Sequence, residues 1–207
     1  MMRIFLTLLL LCLLPACGRI STADKVDTDP VILKNGTPVP GHFALYVDGS
    51  KLKDTYRLHN DKCYDNRFPV DARDGFRDSF IDAFSQVLQS VEIVKEPLST
   101  ADLAKHGVKA QIVVTADDMT ASIKQVPGFW GFTVRSRVEY SAQVSVYNET
   151  GTVFRTTDSS EKSAVTEGDR KGKCAGASYA MVHIVDSALK DLVTTLTQRI
   201  AYADEMR

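Results

Sequence analysis

Phe132-Thr133-Val134-Arg135-Ser136-Arg137-Val138-Glu139-Tyr140-Ser141-Ala142-Gln143-Val144-Ser145-Val146 is the stretch that decides the fold of this chain. Phe132, Val134, Val138, Tyr140, Ala142, Val144 and Val146 are apolar, whereas Thr133, Arg135, Arg137, Glu139, Ser141, Gln143 and Ser145 are polar. A side-chain period of two held this long is a β-strand with one buried and one wet face. Upstream, Gln111 to Gln125 opens with Ile112-Val113-Val114 and continues with β-compatible residues, so it reads as a second long strand. Pro127-Gly128-Phe129-Trp130-Gly131 is then the turn between two hairpin arms. Downstream, Asn148-Glu149-Thr150-Gly151 makes another turn, and Thr152 to Thr166 is a more polar strand suited to a sheet edge.

The flanking segments change period. Phe76, Phe80, Phe84 and Leu88 recur every four residues, predicting a helix over Asp71 to Gln89 with Asp71 and Asp74 at its positive end. Val182, Val185, Leu189, Leu192, Leu196 and Ile200 predict a final helix over Ser178 to Ala203. Phe43 to Val47 and Val91 to Val94 read as short strands. Ser99 with Asp102 caps a single helical segment ended by Gly107. Two one-faced helices and a one-faced sheet give an α+β two-layer sandwich: a mainly antiparallel sheet with both helices on one face. The expected order is β-α-β-β-β-β-α, with the first helix making a crossover if the first two strands run parallel.

The N-terminus carries a different message. Met1-Met2-Arg3 is a short cationic start, Ile4 to Leu14 is apolar apart from Thr7, and Leu14-Pro15-Ala16-Cys17-Gly18 follows. In a helix the apolar run spans about 16 Å, short of the roughly 30 Å hydrocarbon core of a bilayer. It therefore reads as an export signal that is removed. Leu14-Pro15-Ala16-Cys17 resembles the lipobox of bacterial lipoproteins, with Pro15 standing where that family has a small residue. The resemblance implies cleavage before Cys17, a diacylglyceryl group on its thiol and an acyl chain such as palmitate on its freed amine. Gly18, in place of the Asp that retains such lipoproteins at the inner membrane, implies the periplasmic face of the outer membrane. The expected organisation is a signal peptide over 1–16, a lipidated N-terminus and tether over 17–41, and one α+β domain over 42–207. Pro30, Pro38, Pro40, Gly36 and Gly41 mark the tether.

Removing the signal leaves 191 residues, enough for one domain with a sizeable core, carrying 24 basic against 26 acidic residues. That balance lacks the basic footprint of a nucleic-acid binder. Cys12 leaves with the signal and Cys17 takes lipid, so Cys63 and Cys174 remain as an even pair in an exported protein. They are read as a disulfide, two independent thiols being the alternative.

Catalytic and cofactor motifs fail one by one. Gly168-Asp169-Arg170-Lys171-Gly172-Lys173-Cys174 has three residues between its glycines and Cys174 after the lysine. A nucleotide-binding loop needs four and a hydroxyl. His42, His59, His106 and His183 stand far apart, and the cluster His59, Asp61, Cys63 and Asp65 lacks metal-site spacing. No Gly-x-Ser-x-Gly element is present. Asp117 and Asp118 are adjacent, so on a strand they face opposite ways. The reading is a non-enzyme without cofactor or metal.

Phe129, Trp130 and Phe132 crowd the hairpin turn. Either the turn folds back over the open end of the core, or it is an exposed tip for a partner or the membrane interface. Arg135 and Arg137 stand nearby as a frame for such a contact, or as an ordinary solvated face.

The whole arrangement is similar to small outer-membrane lipoproteins of the lipopolysaccharide-assembly and transporter-auxiliary type. That likeness is architectural. It implies a non-enzymatic accessory or scaffold for an outer-membrane assembly or transport machine, meeting an envelope protein partner. The alternative is a periplasm-facing binding module for a small lipid or glycan, held between sheet and helices.

Overall fold

The computed structural model of the chain describes residues 21–22, 36–57, 67–127, 132–167 and 175–207. The strands are β1 (Ser21–Thr22), β2 (Val39–Asp48), β3 (Lys53–Arg57), β4 (Arg67–Asp71), β5 (Leu88–Ile93), β6 (Ala110–Pro127), β7 (Phe132–Asn148) and β8 (Gly151–Glu167). The α-helices are α1 (Arg73–Val87), α2 (Thr100–His106) and α3 (Ala175–Tyr202), followed by a 3₁₀ turn at Asp204–Met206. A five-stranded sheet runs β5-β2-β6-β7-β8, and a small second sheet runs β1-β4-β3.

The class is α+β, but the main sheet is mixed. β2 pairs in parallel with both β5 and β6, whereas β6, β7 and β8 pair antiparallel. This corrects the expectation of a mainly antiparallel sheet. The reason lies in the connections: α1 links β2 to β5 and α2 links β5 to β6, so each of those strands returns in the same direction after a helix. Only the last three strands are joined closely enough to reverse. The small sheet was not expected, since its strands are short and carry little alternation.

The inner face of β7 follows the expected alternation, whereas Ser145 on the expected wet face is buried as well. Val134, Ser136, Val138, Tyr140, Ala142, Val144 and Val146 are all buried, while Arg135 and Arg137 are exposed. β6 changes phase partway along. Its register shifts between Ala116 and Asp118, a bulge at Asp117. Ile112, Val114 and Ala116 are buried before it, and Met119 and Ile123 after it. One extra residue moves the buried set from even to odd positions and leaves both aspartates exposed. The Asp118 carboxylate accepts from the Met119 N–H at 2.8 Å, closing the irregularity locally.

α1 and α3 share one core with the inner sheet face. Phe76, Phe80 and Phe84 from α1 meet Leu189, Leu192, Val193 and Leu196 from α3, over Phe43, Leu45, Ile112 and Val144. α2 belongs to the opposite face, where Leu103 and Val108 pack on Ala44. Three α-helices are therefore described where two on one face were expected, and α2 lies on the face opposite α1 and α3. Its signals act as read: Ser99 accepts from the Asp102 N–H, and Gly107 ends the helix at φ 62°, a left-handed conformation that suits glycine.

Asp71 ties the small sheet to α1. It pairs with Thr22 and Lys53 across the strands and binds the Arg73 guanidinium at 2.7 and 2.8 Å. The Arg73 hydrogen bonds hold its carboxyl down at about 2, from an ordinary 3.8, with Lys53 adding a smaller pull. A carboxyl depressed in the folded state contributes stability that is complete above its unfolded pKa and lost as pH falls through its folded one. Asp71→Asn is therefore expected to lower the urea midpoint near neutrality, with the gap to the parent closing from about pH 4 to about pH 2. A gap that is constant across that range would show that the carboxylate charge contributes nothing.

Candidate functional site

Several residues singled out from the sequence fall outside the described residues: Cys17, Cys63, Cys174, Phe129 and Trp130, together with His59, Asp61, Asp65 and the loop 168–174. Phe132 opens β7, opposite Pro127 at the end of β6. The turn residues 128–131 between the 18-residue β6 and the 17-residue β7 lie outside the described residues.

The two arginines near that end differ. Arg137 is neutralised, bonding Glu161 across the strands and lying 3.5 Å from Glu139. Arg135 lies directly opposite Lys124 and is exposed. Like charges facing each other across a strand pair oppose pairing, so this end of the ribbon is locally cationic. β8 forms one edge of the main sheet over seventeen residues, and among the described residues nothing pairs with its outer side. Its inner face is tied to α3 instead, by Lys162 to Asp191 and by Arg199 to Asp158 at 3.2 Å. Arg199 also donates to Thr156 Oγ1 and the Thr157 carbonyl. The strand is thus held against the helix, with a register shift near Val153 where Val146 faces Phe154 and Tyr147 faces Thr152.

On the other face of the sheet, α2 and the segment before it stand over β6 and β7. Pro97, Leu98, Thr100 and Leu103 form one wall of a pocket of about 310 Å³, Gln111, Val113 and Tyr147 its floor, and Asn148 and Gly151 its rim. The backbone explains the lining. Gln111, Val113 and Tyr147 are the outward members of strands whose alternate residues Ile112 and Val146 fill the core. The Gln111 side chain is only 2% exposed. Its Oε1 accepts from the Leu98 N–H at 3.1 Å, while its Nε2 has no partner among the described residues. Beside the pocket, the Ser145 and Arg155 hydrogen bonds hold the Tyr147 hydroxyl below its ordinary pKa. Arg155 donates to Ser145 Oγ at 3.2 Å and to Tyr147 at 3.4 Å.

A third cluster joins residues distant in sequence. Glu92 on β5 lies 3.6 Å from His42 Nε2 on β2 and 3.0 Å from His106 Nδ1 on α2, and His42 Nδ1 meets Ser90 Oγ at 2.8 Å. The sequence placed the histidines far apart; the parallel β2–β5 pairing brings His42 to Glu92, and α2 brings His106 to the same carboxylate. Among the described residues no group of three or more His, Cys, Asp and Glu has the arrangement to hold a metal ion. Neither this cluster nor the Gln111 pocket was found from the sequence. A lone Gln before Ile112-Val113-Val114 reads as strand edge polarity, and only the packing of α2 buries it.

No protein-family model matches the chain, and no curated protein matches it significantly. Its shape is similar to that of solved structures at very low identity. One is a Helicobacter pylori protein described as a neuraminyllactose-binding hemagglutinin homolog, at 10% identity over 88% of this chain and 94% of that one, with a TM-score of 0.50. A Xanthomonas campestris protein of the DUF330 family follows at 9% identity, 87% and 93% coverage and a TM-score of 0.47. A minor lipoprotein from Acinetobacter baumannii follows at 10%, 83% and 93%, with a TM-score of 0.40. Identities this low speak of fold alone, and of these three only the Helicobacter structure is close enough to support the shared architecture.

Proposed function

We propose that this chain is a lipid-anchored envelope protein that acts by binding rather than catalysis, as an accessory to an outer-membrane assembly or transport machine. The single observation that supports this most is β8: a seventeen-residue edge, unpaired on its outer side among the described residues and stiffened from behind by α3. Such an edge offers a row of N–H and C=O groups that a partner strand completes. Anchoring at Cys17 would confine the search for that partner to a surface and raise the effective concentration. Phe129 and Trp130, a few residues in sequence from the cationic Lys124–Arg135 pair, are the second contact of this reading.

The test is affinity capture of the lipidated chain from solubilised envelopes, beside a variant carrying Phe129→Ala and Trp130→Ala. An envelope protein recovered in stoichiometric amount with the parent and depleted at least about ten-fold with the variant is the expected result. Equal recovery with both chains would remove the tip from the interface.

The pocket behind the sheet favours a second reading, a binding module for a small lipid or glycan. Mass spectrometry of compounds extracted from the purified protein tests it directly.

A further inference from the structure

We infer that the hairpin of β3 and β4 rests on the phospholipid headgroup layer, with its Arg57–Arg67 end toward the bilayer and α2 facing away. This rests on the lipid anchor of the function proposed above and goes beyond it, from anchorage to orientation. Three observations carry it.

The first is a short leash. β1 pairs in parallel with the end of β4, Ser21 beside Val70 and Thr22 beside Asp71. The chain therefore enters β1 from the side on which β4 begins, at Arg67. Cys17 stands four residues before Ser21. Even a fully extended chain of that length reaches only about 14 Å, so a lipid on Cys17 keeps this part of the domain at the membrane surface.

The second is where the hairpin is rooted. Leu52, Val70 and Ala72 are fully buried in the core shared by α1 and α3, whereas α2 packs on the opposite face of the main sheet. From Val70 back to Arg67, β4 covers about 10 Å, within the reach of the leash. α2 lies across the sheet from that root and is turned away from the anchor.

The third is the chemistry of the hairpin's outer end. The antiparallel register sets Tyr56 opposite Phe68 and Arg57 opposite Arg67. Two arginines at opposed positions work against strand pairing, and phosphate oxygens, which take guanidinium groups in charge-assisted hydrogen bonds, relieve that cost. Aromatic residues one position further in suit the boundary between headgroups and hydrocarbon. Over 51–73 the sequence carries six basic against four acidic residues, and Asp71 is already held by Lys53 and Arg73. A layer of phosphodiesters over hydrocarbon complements both the charge and the rings.

The experiment is quenching of tryptophan emission by brominated lipid, on the lipidated full chain reconstituted in liposomes of phosphatidylethanolamine and phosphatidylglycerol. Trp130, the only tryptophan of the chain, is replaced by Phe. Single reporters are then introduced as Phe68→Trp in the hairpin and Thr100→Trp on the exposed side of α2. Flotation with the liposomes reads the anchor separately. Both chains are expected to float, and the Phe68→Trp emission to be quenched at least about three-fold more strongly than that of Thr100→Trp. Adding Arg57→Glu and Arg67→Glu to the hairpin reporter should leave flotation unchanged and lower its quenching at least about two-fold. Tyr56→Trp, at the position opposite Phe68, carries the same test if Phe68→Trp fails to fold.

A chain that floats with equal quenching at both reporters, or with quenching indifferent to the two arginines, would overturn the orientation and leave the lipid anchor in place. Hairpin emission that shifts to the blue on reconstitution yet escapes brominated lipid would mean that a protein surface covers the hairpin, and would overturn it too. A chain that does not float would overturn the anchor itself, and the orientation with it.

Discussion

Phe80→Ala is expected to destabilise the folded chain by about 3–5 kcal/mol. Phe80 is fully buried and is the middle ring of three on α1, 4.7 Å from the Phe76 centroid in an edge-to-face contact and 6.0 Å from Phe84 in a stacked one. Truncation removes both aromatic contacts and opens a cavity where α1, α3 and the sheet meet. Rigid neighbours on three sides leave little scope for collapse, so the cavity cost adds to the lost transfer energy. For a domain of this size that corresponds to a melting temperature lowered by roughly 6–20 °C. The comparison is Arg77→Ala, an exposed change on the same helix that should stay within about 0.5 kcal/mol. A Phe80→Ala loss below about 1 kcal/mol would mean that α1 is not docked as described.

Cys17→Ser is expected to abolish incorporation of radiolabelled palmitate altogether. The thiol is the only group at the processing point able to form the thioether, and a hydroxyl at the same position is a far weaker nucleophile than a thiolate. The expected consequence follows from the chains lost: each buried methylene contributes about 0.8 kcal/mol to anchoring, and stable attachment takes two such chains. Among the described residues no helix is long and apolar enough to cross a membrane. Cys12→Ser, five residues upstream in the signal, should label as the parent does. Equal labelling of the Cys17→Ser chain would place the lipid elsewhere and remove the basis for confining this protein to a membrane surface.

Local periodicity carried most of the elements. The alternation from Phe132 to Val146 and the four-residue spacing of Phe76, Phe80 and Phe84 appear as β7 and α1 within a few residues of their expected bounds. Ser99, Asp102 and Gly107 mark α2 because capping is a contact among near neighbours. The Asn148 to Gly151 turn also acts locally, with the Asn148 amide oxygen accepting from the Thr150 N–H at 2.8 Å. β3 and β4 carry no comparable signal. Both are five residues long, and Pro69 lies within β4, so neither alternation nor propensity separates them from a loop.

Candidate chemistry divides in the same way. The lipobox-like stretch is contiguous, and its reading needs no fold. Gln111, by contrast, becomes a buried donor only because α2 crosses behind the sheet and Leu98 takes its oxygen. His42 meets Glu92 because β2 and β5 pair in parallel, and His106 reaches the same carboxylate from α2.

By itself the sequence determined the α+β class, the long hairpin arms, the two one-faced helices and the edge character of β8, because each rests on a repeat or a cap among neighbours. Strand direction, the phase change at Asp117 and the pocket under α2 were decided only in three dimensions. Pairing partners and covered faces depend on where a connection returns the chain, and a side-chain period is the same whichever way its neighbour runs.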